Sequence, residues 1–322
     1  MNKQDFRIVY MGTPDFAVEG LKALVEGGYN IVGVVTMPDK PMGRHQDTLQ
    51  PSPVKVYAQE HGLKIMQPVK LKDPEFVEEL RSLRADLQIV VAFRMLPEIV
   101  WSMPKYGTFN AHASLLPKYR GAAPINWAVI NGETETGITT FLLKHEIDTG
   151  DIIDQVRIPI ADTDNVEIVH DKLMELSGKL VTKTVDSIID GTFTTTPQDE
   201  WLKDGAKEDS FAPAPKIFRE TCRIDWNQPT KKIYDFIRGL SPYPAAWTTL
   251  NGKAVKIYET EKEFTAHNLQ IGTIISDGKS TFKVATHDGY INVKVLQLEG
   301  KKRMPVADLL RGFKVTDGMI FE

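Results

Sequence analysis

The sequence predicts an α/β protein in which a Rossmann-like, parallel-sheet domain is followed by a small β-barrel of the oligonucleotide-binding (OB-like) kind. Three observations lead there. Strand-like and helix-like runs alternate through residues 1–191, starting with a β-α-β unit. Five short β-type runs crowd the C-terminal part, separated by turn dipeptides. Between them, residues 192–215 turn to Thr, Pro, Asp and Lys with few apolar side chains, which reads as a linker, so the second domain is expected over 216–322.

Composition narrows the class. A chain of 322 residues exceeds what one core usually fills, and 42% hydrophobic with 25% charged residues is ordinary for a globular protein, which argues against disorder. The opening MNKQDFRIVYMG runs straight into a strand without an apolar signal core, and no run is long enough to span a bilayer. A cytoplasmic protein without a membrane partner is therefore expected, and nothing demands more than a monomer. The single cysteine, Cys222, has no disulfide partner and no ligand-spaced neighbours, so it reads as a packed thiol, with no metal site. The net charge of −4 conceals an asymmetry: residues 216–322 hold 17 Lys and Arg against 12 Asp and Glu, and residues 1–215 hold 22 against 31. The basic C-terminal part suits a polyanionic partner.

Taken in order, Phe6–Met11 is an apolar strand ending at Gly12-Thr13-Pro14. Phe16, Leu21, Leu24 and Val25 then recur at helical spacing, with Thr13 as the expected N-cap and Pro14 as the first helical residue. Ile31–Val35 is the next strand. Gly12 alone does not make a three-glycine dinucleotide fingerprint, and no acidic residue closes the second strand, which argues against NAD or FAD. Met37–Pro53, with four prolines, reads as a long exposed loop carrying the cations Lys40 and Arg44. Helices are expected at Val54–His61 and Asp73–Leu83, with a short strand at Lys64–Met66 between them. Leu87–Phe93 is the most strand-like run and should lie centrally; its C-terminal end, Ala92-Phe93-Arg94-Met95-Leu96, falls where open α/β sheets bind ligands. Further on come a helix at Ile125–Asn131, strands at Thr136–Leu143 and Ile152–Ile160, and a long helix at Val166–Ile189. In the C-terminal part a helix at Lys231–Gly239 precedes the five β runs, 246–250, 255–258, 271–275, 282–285 and 291–298, and Val306–Leu310 is a closing helix.

The stretch from Thr108 to Pro124 carries the chemistry. Asn110 and His112 stand two apart after an apolar approach, so on an extended segment both side chains project from one face. An amide donor and an imidazole together can hold a developing oxyanion and exchange protons. Asp148, in the turn before Thr149-Gly150, can meet the imidazole from another strand and fix its tautomer. Ser114 lacks the flanking glycines of a nucleophile elbow, so direct attack of a substrate amine on an acyl donor fits better than a covalent acyl-enzyme. The residues alone leave a purely structural trio open.

Asn110-Ala111-His112-Ala113-Ser114-Leu115-Leu116-Pro117-Lys118-Tyr119-Arg120-Gly121-Ala122-Ala123-Pro124 with Asp148-Thr149-Gly150 resembles the signature of the folate-dependent formyltransferases. Met11-Gly12-Thr13-Pro14-Asp15-Phe16, Pro38–Arg44, Pro51–Lys55 and Arg223-Ile224-Asp225-Trp226 extend the resemblance over essentially the whole chain, most closely to the branch acting on methionyl-tRNA. The resemblance implies a formyltransferase domain binding 10-formyltetrahydrofolate as formyl donor, and a barrel that helps grip initiator methionyl-tRNA. It implies that Asn110 and His112 stabilise the oxyanion and that Asp148 orients His112 and assists proton removal. Ser114, Leu115, Leu116 and Pro117, with Ala92, Phe93, Arg94, Met95 and Leu96, would line the folate site. Lys40 and Arg44 would enter the acceptor end of the tRNA, and Lys301, Lys302 and Arg303 would add phosphate contacts.

Two departures from the family pattern stand out. The loop after Gly43-Arg44 continues His45-Gln46-Asp47-Thr48 instead of with glycine and further cations, and Arg94 stands where glycine is expected. Arg94 either pairs with the glutamate tail of the folate or folds outward. Rival readings keep the same trio in a sugar-nucleotide formyltransferase or a formate-releasing hydrolase. A non-catalytic nucleotide- or RNA-binding module would not need the trio at all.

Overall fold

The computed structural model describes residues 1–42, 48–201 and 211–322. The chain forms two compact units, one of Met1–Gly121, Thr136–Ile158 and His170–Pro213, the other of Ala122–Glu135, Pro159–Val169 and Ala214–Glu322.

Strand β1 (Arg7–Gly12), helix α1 (Asp15–Glu26) and β2 (Asn30–Val35) make the expected β-α-β unit. After them come β3 (Lys40–Met42), β4 (Thr48–Gln50), α2 (Pro53–Glu60), β5 (Ile65–Met66), α3 (Pro74–Ser82), β6 (Leu87–Val91), α4 (Glu98–Trp101) and β7 (Thr108–His112). The run continues through α5 (Pro124–Ile130), β8 (Glu135–Leu142), β9 (Ile152–Pro159) and α6 (Val166–Ile189). The sheet order is β5-β2-β1-β6-β7-β8-β9, so β6 is central as its apolar run requires. Pairing is parallel from β5 to β7, and β8 runs antiparallel to β7. Val9, Met11, Val35, Phe76, Leu80 and Val90 fill the core on one face. Gly12 is required at the end of β1, because a Cβ there would lie 2.8 Å from the carbonyl oxygen of Val91.

Two local expectations change. Pro14, not Thr13, occupies the N-cap of α1, and the Thr13 hydroxyl instead accepts the Met37 N–H at 3.3 Å. Strand β6 stops at Val91 because Ala92 turns to a left-handed φ of 48°, which swings residues 92–96 out of the sheet direction. Within residues 192–215 most described residues are exposed, and some of them are tied to the first unit. Thr196 exchanges backbone hydrogen bonds with Ile152 at 2.8 and 2.9 Å, and the buried Gln198 opens a 3₁₀ turn whose next two residues are exposed.

The second unit holds α7 (Thr230–Leu240), β10 (Ala246–Leu250), β11 (Lys253–Glu263), β12 (Ile274–Ser276), β13 (Phe282–Ala285), β14 (Tyr290–Leu298), β15 (Met304–Pro305) and α8 (Val306–Leu309). Its antiparallel order is β10-β11-β14-β13-β12, with β15 on β14. Residues 319–322 bridge the open edges. Ile274 N–H donates to Met319 O and Phe321 N–H to Gly272 O, both at 2.9 Å, while Thr249 and Glu322 exchange bonds at 3.2 and 3.0 Å. The ring of strands is thereby closed, as a small barrel must be to remove its edges. Inside it Phe321 stacks on Trp226 and meets Phe282 at a tilt.

This unit is assembled from three stretches of chain. The Asn126 amide donates to Gly239 O at 2.9 Å, Tyr234 Oη to Asp162 O at 2.9 Å, and Arg238 Nη1 to Asp164 O at 2.8 Å. Arg238 is buried beside Asp235 at 2.9 Å, so its charge is both paired and hydrogen-bonded.

Candidate active site

Alternation along β7 puts Asn110 and His112 on one face. Asn110 is partly exposed on an otherwise buried strand, and among the described residues no group takes up its amide. His112 is 7% exposed, with its ring edge-on to Phe141 at 6.4 Å. Its Nε2 lies 2.9 Å from Tyr119 O, and its Nδ1 lies 3.9 Å from Asp148 Oδ2.

A carbonyl only accepts hydrogen bonds, so Nε2 carries the hydrogen and the lone pair of the neutral ring sits on Nδ1, toward Asp148. Tyr119, not Asp148, therefore sets the tautomer, contrary to the expectation from sequence. At 3.9 Å the carboxylate is too far for a hydrogen bond and near enough to act by charge. Asp148 takes a left-handed φ of 56° in the turn between β8 and β9, and its Oδ2 accepts the Gly121 N–H at 2.9 Å. The turn leaves no room at Gly150, where a Cβ would sit 1.5 Å from Leu142 O.

The residues expected to line a folate pocket divide. Ser114 is fully buried and its hydroxyl donates to Lys118 O at 2.7 Å. Thr139 Oγ1 donates to Ser114 O at 2.7 Å and accepts the Leu116 N–H at 3.2 Å, and Gln155 Nε2 donates to Leu116 O at 3.1 Å. Leu116 packs on Phe141 and Ile152. Thus Ser114, Leu116 and Pro117 turn their side chains inward, tying this loop to β8 and β9, while Leu115 stays partly exposed.

After β6, Leu96 is buried, Phe93 is half-buried, and Ala92 and Met95 are exposed. Arg94 is half-buried. Its guanidinium donates to the carbonyls of Pro68 and Val69 and lies over the Phe93 ring at 5.5 Å, so it braces this loop against the segment before α3. Burial pulls its pKa below the ordinary guanidinium value.

Of the cations proposed for tRNA, Lys40 is exposed on β3, and Arg44 lies outside the described residues. The base of the β3–β4 pair is anchored by Asp39, which meets Lys55 Nζ at 2.7 Å and accepts from Gln67 Nε2 at 2.8 Å. Lys55 donates there and holds the Asp39 carboxyl below its usual range. Lys301, Lys302 and Arg303 are exposed, with Arg303 over the Tyr258 ring at 4.2 Å.

Sequence reasoning missed the residues that frame the pair. Tyr119 and Gly121 act through their backbone, which no side-chain motif reports. Gln198 lies in a stretch read as linker, and no local signal marks it.

Comparison with known proteins finds two family profiles along the chain. A profile for formyl transferases matches residues 6–185, and one for the formyl transferase C-terminal domain matches 216–314. The methionyl-tRNA formyltransferase of Phocaeicola vulgatus is 70% identical over 322 residues, 98% of each chain. That of Parabacteroides distasonis is 66% identical over 319 residues, again 98% of each. Among solved structures, an N-formyltransferase from Helicobacter canadensis superposes with a TM-score of 0.64 at 20% identity, over 93% of this chain and 100% of the other. A sugar 3N-formyl transferase gives 0.65 at 22% identity, over 92% and 99%. At such identities these structures share the fold.

Proposed function

The chain belongs to the formyl transferase family, and from that premise we propose that it transfers the formyl group of 10-formyltetrahydrofolate to the amino group of initiator methionyl-tRNA, giving N-formylmethionyl-tRNA for translation initiation. One observation carries the chemistry: His112 and Asp148 stand 3.9 Å apart, and Asn110, on the same face of β7 as His112, has an amide that no described residue takes up. The acceptor is supported by relatives named for it that are similar along nearly their whole length.

The folate is the donor substrate and supplies a formyl group on a nitrogen that can leave. The acceptor nitrogen forms the new N–C bond and gives up two protons on its way from ammonium to amide; one returns to the departing nitrogen and one goes to solvent. Asn110 serves as hydrogen-bond donor to the formyl oxygen as negative charge develops there, a contribution worth about 10²–10³ in turnover for a donor of this kind. His112 Nδ1 is the ring atom able to take up a proton, and the Asp148 carboxylate stabilises the cation that results. Asp148 holds the Gly121 N–H through Oδ2, which leaves Oδ1 for a substrate group or water. The reading places the enzyme in the cytoplasm with aminoacylated tRNA, and it needs no second subunit.

On this reading Lys40 and Arg44 reach the acceptor end, and Lys301, Lys302 and Arg303 contact phosphates. Replacing the last three together by alanine should lower the slope of log affinity for methionyl-tRNA against log salt by about 2–3, with KM for the folate unchanged. A filter-binding salt titration measures the slope, and an unaltered one removes these cations from the interface.

The acceptor is decided by competition. Protein, labelled 10-formyltetrahydrofolate, charged initiator tRNA and an amino-sugar nucleotide are mixed, and the label is expected on the tRNA. Label on the sugar would make the protein a sugar-nucleotide formyltransferase instead.

A further inference from the structure

Gln198 is 3% exposed, and both hydrogens of its amide NH₂ are spent on the turn that carries Asp148. Its Nε2 donates to the carbonyl of Asp148 at 2.7 Å and to that of Gly150 at 2.9 Å. Its Oε1 accepts from Arg120 twice, from Nε at 3.1 Å and from Nη2 at 2.7 Å. The guanidinium fork fixes which end of the amide is oxygen, so the NH₂ end is the one presented to the two carbonyls.

Arg120 sits between two residues that hold the reacting pair directly. Tyr119 O takes the His112 Nε2 hydrogen, and Gly121 N–H takes Asp148 Oδ2. The tripeptide Tyr119-Arg120-Gly121 therefore grips His112 by a carbonyl, the Asp148 carboxylate by an N–H, and, through Gln198, the Asp148 backbone. Asp148 needs such support. Its left-handed φ of 56° is costly for a residue with a side chain, and Gly150 is pressed against Leu142. A charge-assisted bond to Oε1 also polarises the amide and strengthens the two bonds it donates.

We propose that Gln198, oriented by Arg120, is a positioning residue that holds the Asp148 turn at its working distance from His112. The proposal rests on the formyl-transfer reading above. Gln198 touches no reacting atom; it acts through Asp148. A displacement of about 1 Å in a group of this kind can cost about a hundredfold in rate.

The test uses the full-length protein with 10-formyltetrahydrofolate and charged initiator tRNA. Gln198→Met keeps length and volume but has no amide. Its kcat is expected to fall about 10–100-fold with KM for each substrate within about twofold of the parent. In an Asp148→Asn background the same change should lower the single-turnover rate less than about twofold, because the group it serves is already disabled. An unchanged kcat in Gln198→Met, or the full loss repeated in the Asp148→Asn background, overturns the proposal. Should Gln198→Met fail to fold by circular dichroism, Arg120→Lys carries the test. A single ammonium replaces the two-pronged guanidinium there, and kcat should fall about 3–10-fold with both KM values held; an unchanged kcat overturns the proposal. Parent protein that formylates a different amine changes the function and leaves the comparison to be read with that amine. Parent protein that formylates nothing overturns both.

Discussion

His112→Ala is expected to lower turnover by about 10²–10⁴-fold while leaving KM for 10-formyltetrahydrofolate within a few-fold of the parent. The reason lies in the ring's two sides. Nε2 is committed to Tyr119 O, so Nδ1, facing Asp148 across 3.9 Å, is the position where a proton can arrive. Alanine removes that position but leaves Asn110 to polarise the formyl oxygen. The substitution also removes a buried hydrogen bond to Tyr119 O, at a cost of about 0.5–1.5 kcal/mol in stability. The two effects separate by experiment: thermal unfolding reports the lost hydrogen bond, and single-turnover formylation well below the melting temperature reports the chemistry. Turnover equal to the parent's would remove His112 from the reaction.

Gly150→Ala should damage both stability and rate. The added methyl would lie 1.5 Å from Leu142 O, a backbone atom, so the turn between β8 and β9 must shift. Relief by backbone movement is expected to cost about 1–3 kcal/mol. It would also carry Asp148 away from His112, lowering kcat about a hundredfold. Chemical denaturation and steady-state kinetics measure the two. A variant as stable and as active as the parent would mean that the turn tolerates another path.

Much of the scaffold was legible because its signals are periodic. The apolar run of β6 marks a strand buried on both faces, and Asn110 and His112 share a face of β7 because strand side chains alternate. The helix expected from Asp73 onward starts there, with the Asp73 carboxylate accepting the Glu75 N–H at 3.0 Å as its N-cap. Five of the six C-terminal strands could be read from their turn dipeptides, the short β15 being missed, and β11 runs on through Glu259–Glu263, where charged residues hide a strand paired to β14. The family signature supplied what periodicity cannot, the association of Asp148 with His112.

What stayed hidden is polar and non-local. Thr196 and Gln198 look like linker composition because they are held by backbone hydrogen bonds and a buried amide, and neither leaves an apolar pattern. Ser114 closes its own turn with a hydroxyl bond to Lys118 O, which no local pattern announces. Arg94, the least expected residue of its loop, finds its partners about twenty-five positions back, at Pro68 and Val69. Propensity carries no information on such pairings.

The three-stretch construction of the second unit bears on how portable it is. A gene fragment cut at residue 216, where the C-terminal profile begins, would leave behind Ala122–Glu135 and Pro159–Val169. Arg238 would lose the carbonyl of Asp164, Tyr234 that of Asp162, and Gly239 the amide of Asn126. Recombination between relatives at that boundary would join halves whose matching surfaces were selected in different chains. In this fold, inheritance is expected to keep the three stretches of the second unit together, with compensating changes at residues 122–135 and 159–169 whenever α7 drifts.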